Sequence, residues 1–357
     1  MLMINQNPFT TTFSKIPKRA HIEREELNTI VENFSFAEPT ESVYKITGVR
    51  GSGKTVGLAE IEEIYTTEEM KQEGWIVYRL NPARDVLVQI GAALNKESFV
   101  SKKAKGFNAN VNLSVLGTGG GIGGSYTSAD PIFDIGVEIR SMLKQAVEKK
   151  KKILLTIDEV SKTPYMVQFC LEYGEWLREG FPIYLVCTGL YENITDLGNV
   201  NNLTFFRRAT SVIMKPLNQI KMIELYKKAL KKDTEYCKKC AEITKGYAYA
   251  FQQYGALLFD GQTKDAVSDL KTNLFGNVYE KVWEELSEND RYILRIMTED
   301  RSYKRDEITQ VLGDRANIYP EYRDRLIKRG ILISPQYGYV KIALPFLSEY
   351  IAEYCSN

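Results

Sequence analysis

The chain has 357 residues, 44% apolar and 26% charged, which suits a globular protein of two or three domains and argues against a disordered one. Its 47 basic and 46 acidic side chains leave a net charge of +1, so any surface for a polyanion must be local. No apolar run reaches the length of a membrane span, and the opening MLMINQNPFTTTF is too polar for a secretory signal, so the cytoplasm is the expected compartment and no membrane partner is expected.

Residues 1–40 hold an irregular start and then a helical run, EELNTIVENF. The strand SVYKIT leads into TGVRGSGKTVG, whose Gly48, four-residue gap, Gly53, Lys54 and Thr55 fit the P-loop pattern. Backbone N–H groups along Gly48, Arg50, Gly51, Ser52, Gly53 and Val56 would wrap the phosphates of ATP or ADP. Lys54 would reach the outer phosphates and the Thr55 hydroxyl would join a Mg²⁺ shell. After Thr55 the apolar positions Val56, Leu58, Ile61, Ile64 and Tyr65 recur at helical spacing, the context the loop requires.

WIVYRLN (75–81) reads as a second buried strand and RDVLVQIGAALNKE (84–97) as a helix. FNANVNLSV (107–115) alternates strictly and runs into GTGGGIGG, which predicts a glycine-tipped hairpin over about 105–128. Gly119, Gly121 and Gly124 match GxGxxG only formally, because Asp130 and Pro131 follow where a helix would have to open. A helix from about 132 to 149 ends in a basic run, read as a solvated helix end.

KILLTIDEV (152–160) and FPIYLVCTGL (181–190) are the next strands, so strands alternate with helices and predict a parallel sheet covered on both faces. Asp158 and Glu159 sit at the carboxyl end of KILLTI, where such a sheet places its ligand crevice. There Asp158 can hold Mg²⁺ opposite Thr55, while Glu159 can orient and deprotonate an attacking water. The single histidine, His21, leaves no obvious nucleophile–base pair, a poverty that phosphoryl chemistry tolerates. Five cysteines suggest reduced thiols. Cys237 and Cys240 form one CxxC without a second pair, better explained as a helical face than as half a zinc site.

With these motifs the sequence resembles the AAA+ ATPases, in the branch of the archaeal and bacterial replication initiators and the related archaeal-type ATPases of mobile elements. GVRGSGKT and LLTIDEV correspond to Walker A and Walker B. The resemblance makes Thr188, in YLVCTG, the sensor 1 residue that contacts the γ-phosphate or the water. It makes IEREEL, with Ile22 and Arg24, the box that helps cover the adenine. It makes Arg207 or Arg208, in FFRRATSVIMKPLNQ, the arginine finger offered to a neighbouring copy, and KGYAYAFQQYG (245–255) the lid segment that carries sensor 2. This chain departs from the pattern twice: that lid segment has no arginine, and 104 residues separate Lys54 from Asp158.

The C-terminal stretches LSENDRYILRIM, KRDEITQVLG and NIYPEYRDRLIKRG, followed by a two-strand pattern around PQYG, have the order of a winged helix-turn-helix. Its third helix would carry Arg315, Arg323, Arg325 and Lys328 toward double-stranded DNA, with Tyr319 and Tyr322 packing on sugar or base. The predicted fold class is therefore α/β: a P-loop NTPase parallel sheet, a small helical lid and a winged helix. Its expected segments are 1–40, 41–215, 216–283 and 284–357. The expected function is an ATPase that couples nucleotide state to DNA engagement or assembly. The alternative is a STAND-type signalling or defence switch whose winged helix docks on protein.

Overall fold

The structure, a computed structural model, describes residues 6–12, 16–17, 19–101 and 134–355. The hairpin expected at about 105–128, with Gly119, Gly121 and Gly124, lies outside the described residues. Five strands form a parallel sheet in the order β2-β3-β4-β1-β5. They are β1 (Val43–Thr47), β2 (Trp75–Leu80), β3 (Lys152–Ile157), β4 (Ile183–Gly189) and β5 (Thr210–Ile213).

By packing, Asn33–Lys45 groups with Ile61–Thr210, and Met1–Glu32 groups with Ile46–Glu60 and Ser211–Asn357. In the first of these units β3 and β4 are buried almost end to end, as a sheet covered on both faces demands. Successive side chains then part to opposite faces. Ile153, Leu155 and Ile157, with Ile183, Leu185 and Cys187 beside them in parallel register, enter one core. That core also takes the apolar stripes of α4 (Val86–Leu94), α5 (Ile135–Glu148) and α6 (Pro164–Arg178). Each helix starts on a side-chain cap: Asp85, Asp134 and Thr163 accept the exposed N–H groups of the first turns, and Pro164 at the first position of α6 has no N–H to satisfy. The other face is aromatic. Trp75 meets Tyr65 at 4.6 Å and Tyr184 at 5.1 Å between ring centres, and Phe34 meets Tyr184 at 5.1 Å.

In the second unit α9 (Gln219–Leu230), α10 (Thr234–Thr244), α11 (Ala248–Phe259) and α12 (Ala266–Leu274) share a core with the C-terminal elements. Cys237 and Cys240, one turn apart on α10, both point into it. The C-terminal elements are α13 (Glu280–Glu284), α14 (Glu288–Ile296), α15 (Arg305–Leu312), α16 (Tyr319–Lys328) and α17 (Leu347–Tyr354). With them lies a three-stranded antiparallel sheet of order β6-β8-β7, built from Tyr303–Lys304, Tyr339–Ile342 and Leu332–Ile333.

The first turn of α14 decides how α16 is held. Ser287 and Asp290 make a reciprocal capping box, and Asp290 is fully buried. A buried carboxylate needs partners, and α16 supplies them. Arg325 reaches Asp290 Oδ2 at 2.6 Å, and Arg329 reaches it at 3.3 Å. Arg325 also lies over the Tyr322 ring at 4.2 Å, and the Tyr322 hydroxyl accepts a hydrogen bond from Asn289 at 2.8 Å. Tyr319 is 1% exposed and belongs to the core. This corrects the reading of Tyr319 as a surface for DNA, since it fills an apolar seat, whereas Tyr322 and Arg325 are half-buried and also hold α14. Arg315, Arg323 and Lys328 keep solvent-facing positions, with Arg323 beside Asp324 and Ser334.

Asp290→Ala would leave buried Arg329 and half-buried Arg325 without their carboxylate. It should lower unfolding stability by about 3 kcal/mol, read as a drop in the urea midpoint, whereas Asp324→Ala on the exposed side of α16 should shift it by less than about 0.5 kcal/mol.

Candidate nucleotide site

The P-loop joins β1 to α2 (Lys54–Tyr65), so a strand end and a helix start flank it as its spacing requires. Gly51 and Gly53 have φ of +76° and +96°, a region costly for any residue with a Cβ. A side chain at Gly51 would collide with the Tyr247 hydroxyl, so glycine there serves both backbone and packing. The Lys54 ammonium donates to Gly48 O at 2.8 Å and Val49 O at 3.1 Å, across the mouth of the loop. Thr55 and Val56 continue the first turn of α2, half-buried. The Ser52 hydroxyl is buried and has no hydrogen-bond partner among the described residues. A helix N-terminus, a lysine and an orphaned hydroxyl on one glycine-bent loop suit a phosphate group.

Three groups from outside hold this loop. Arg24, 7% exposed, donates through one guanidinium nitrogen to Ser52 O and through the other to Lys215 O. Burial pulls its pKa down, opposed by Glu26 and Glu60. Arg24, expected at the adenine side, gives two guanidinium nitrogens to backbone carbonyls and so fixes the loop from behind. Ile22 is 6% exposed and packs in the core. The Tyr247 hydroxyl donates to Arg50 O, and the Tyr249 N–H donates to Gly51 O at 3.1 Å. The segment KGYAYAFQQYG therefore touches the P-loop through two tyrosines, although it lacks an arginine. The Arg50 guanidinium pairs with Glu285 at 3.0 Å.

In the other unit, Asp158 and Glu159 follow β3 directly. Thr188, fully buried in β4, donates its hydroxyl hydrogen to Asp158 Oδ1 and accepts the Glu159 N–H at 3.1 Å. The Val160 N–H closes the turn on Thr188 O at 2.8 Å. Glu159 adopts φ +56°, a left-handed conformation costing about 1 kcal/mol or more for a non-glycine residue, and its side chain is exposed. Such strain persists where surroundings over-determine it, and clusters at functional sites. Three residues that the sequence grouped by motif are thus joined by hydrogen bonds. Arg207 and Arg208 end the short helix α8 (Thr204–Arg208) and are both exposed. Sequence reasoning passed over Lys45, a 5%-exposed lysine in β1 whose ammonium donates to Phe206 O at 2.8 Å and Arg207 O at 3.3 Å. Burial lowers its pKa, and the only available signal was a lysine inside an otherwise apolar strand.

Among solved structures, the Walker-type ATPase of Pyrococcus abyssi is similar over 95% of this chain and 98% of its own, at 13% identity and a TM-score of 0.63. The fold is that of the AAA+ P-loop ATPases. The ORC2 protein of Aeropyrum pernix, solved as ADPNP–ADP complexes, is similar over 92% of this chain and 90% of its own, at 13% identity and a TM-score of 0.51. Residues 276–351 match the family described as Domain of unknown function (DUF8462). No curated protein matches the sequence.

The Thr188 hydroxyl serves two partners at once, so Thr188→Val should strand the Glu159 N–H and remove one hydrogen bond from Asp158. The urea midpoint should fall by the equivalent of about 1 kcal/mol, and Thr188→Ser should recover most of it. An unchanged midpoint in Thr188→Val would show that the hydroxyl does not order this turn.

Proposed function

We propose that this protein binds ATP with Mg²⁺, hydrolyses it, and uses the nucleotide state to control engagement of double-stranded DNA. The observation that carries the reading is the Asp158–Glu159–Thr188 turn, found in a chain of AAA+ fold that also bears a complete P-loop. Lys54 meets the outer phosphates, and Thr55 and Asp158 are the residues that would hold a Mg²⁺ ion, which when bound would supply neutralising charge to the phosphates. Glu159 orients and deprotonates the attacking water, a task its exposed carboxylate is free to perform. Thr188 positions Asp158 and the Glu159 backbone. Arg207 or Arg208, exposed at the end of a helix whose carbonyls Lys45 caps, is the finger given to a neighbouring copy.

For the C-terminal elements we propose a winged helix, with α16 as the reading helix. Arg315, Arg323 and Lys328 remain available there, and the exposed Lys304 and Arg305 extend the basic surface. Tyr337, fully exposed between β7 and β8, offers a flat apolar face at the tip of that hairpin. Among the described residues no helix is long and apolar enough to cross a membrane, in keeping with work in the cytoplasm.

Glu159→Gln protein should retain ATP without releasing phosphate, and in that state should bind duplex DNA with an affinity that falls steeply with salt. Adding Arg323→Ala and Lys328→Ala should flatten the slope of log affinity against log salt by roughly two units, while Arg325→Ala should lower stability instead. Phosphate release at the parental rate would remove Glu159 from the chemistry. Absence of salt-dependent DNA binding in every nucleotide state would favour a switch that docks on protein.

A further inference from the structure

The side chain of Arg50 leaves the P-loop toward the C-terminal elements, and what it meets there is not part of any phosphate site. Its guanidinium pairs with Glu285 Oε1 at 3.0 Å, with the two side chains 40% and 28% exposed. Glu285 follows α13 directly, and its own carbonyl accepts a hydrogen bond from Arg329 at 2.9 Å. Arg329 in turn shares buried Asp290 with Arg325 of α16. A contiguous polar chain therefore runs from the P-loop to the helix proposed to read DNA. Gly330, at the end of that helix, lies against Val49 closely enough that an added Cβ would touch its backbone nitrogen at 3.6 Å.

The two halves of the chain of contacts differ in strength. Asp290 is fully buried and held by two arginines, of which Arg329 is buried as well, whereas both partners of Arg50–Glu285 are partly solvated and the pair is weak, as exposed pairs are. A weak link beside the loop is the one that a triphosphate can break, because its charge competes directly with the Glu285 carboxylate for the same guanidinium. A ligand shifts such an equilibrium only by its different affinity for the two states, and here the difference is the turn of Arg50 from carboxylate to phosphate.

We propose that Arg50–Glu285 is a nucleotide-responsive clasp: closed without triphosphate, opened as Arg50 turns to the phosphates, and read out by α16 through Arg329 and Asp290. This rests on the proposal that the P-loop binds ATP. Glu285→Gln removes the competitor, so ATP affinity should rise about threefold to fivefold at low salt, the scale of a weak coupling. The gain should vanish near 1 M salt, where the screening length is about 3 Å.

The test pairs calorimetry of ATP binding with hydrogen exchange over residues 285–296 and 319–330. In the parent, a non-hydrolysable ATP analogue should speed exchange in both segments several-fold. In Glu285→Gln exchange should be fast with or without nucleotide. The swapped double variant, Arg50→Glu with Glu285→Arg, should regain slow exchange without nucleotide and lose the response to it. A merely structural ion pair would be restored by the swap too, but the analogue would then leave exchange in the parent unchanged. If the parent binds ATP while Glu285→Gln matches its affinity and the analogue leaves exchange unchanged, the clasp is wrong and the nucleotide reading stands. If the parent binds no ATP, both fall together.

Discussion

A P-loop works only if its peptide N–H groups are held pointing inward in a backbone shape that the chain alone does not favour. Gly51 and Gly53 make the shape accessible; they do not make it persist, because glycine has more freedom to lose than any other residue. Persistence comes from donors placed outside the loop: Arg24 on Ser52 O, Tyr247 on Arg50 O and Tyr249 on Gly51 O. Each takes a carbonyl and so turns the adjoining peptide dipole. The preorganised loop is thus a tertiary product, assembled from Arg24 and the segment of Tyr247 and Tyr249 around a local motif.

Buried cations in this protein repeatedly serve backbone carbonyls rather than ligands. Arg24 spans Ser52 and Lys215, Lys45 takes the last carbonyls of α8, and Arg329 takes Glu285 O. A buried charge is costly unless hydrogen-bonded, and helix or loop carbonyls are acceptors without an offsetting negative charge. Such contacts fix geometry more than they add stability. The same economy governs α16, where Asp290 draws Arg325 inward and leaves Arg323 and Lys328 outside.

Much of the fold was readable because its signals are local. KILLTI and YLVCTG are apolar runs bounded by polar turns, and the structure makes them adjacent parallel strands. The helix after Lys54 follows from the spacing of Leu58 and Ile61, both in the core. What could not be read were partners distant in sequence. Nothing near Arg24 in the sequence announces its contact with Lys215. Tyr319 looked like a groove-reading residue because helical spacing does not say which side of α16 faces the core.

The central claim is that the loop held by Arg24, Tyr247 and Tyr249 is a phosphate cradle completed by Lys54. Its most direct test is calorimetric titration of ATP with Mg²⁺ into parent and Lys54→Ala protein, with thermal unfolding run alongside. The account predicts saturable binding in the parent, no measurable binding in the variant, and closely similar unfolding temperatures for the two. Equal ATP affinity in parent and variant, or none in a folded parent, would contradict it.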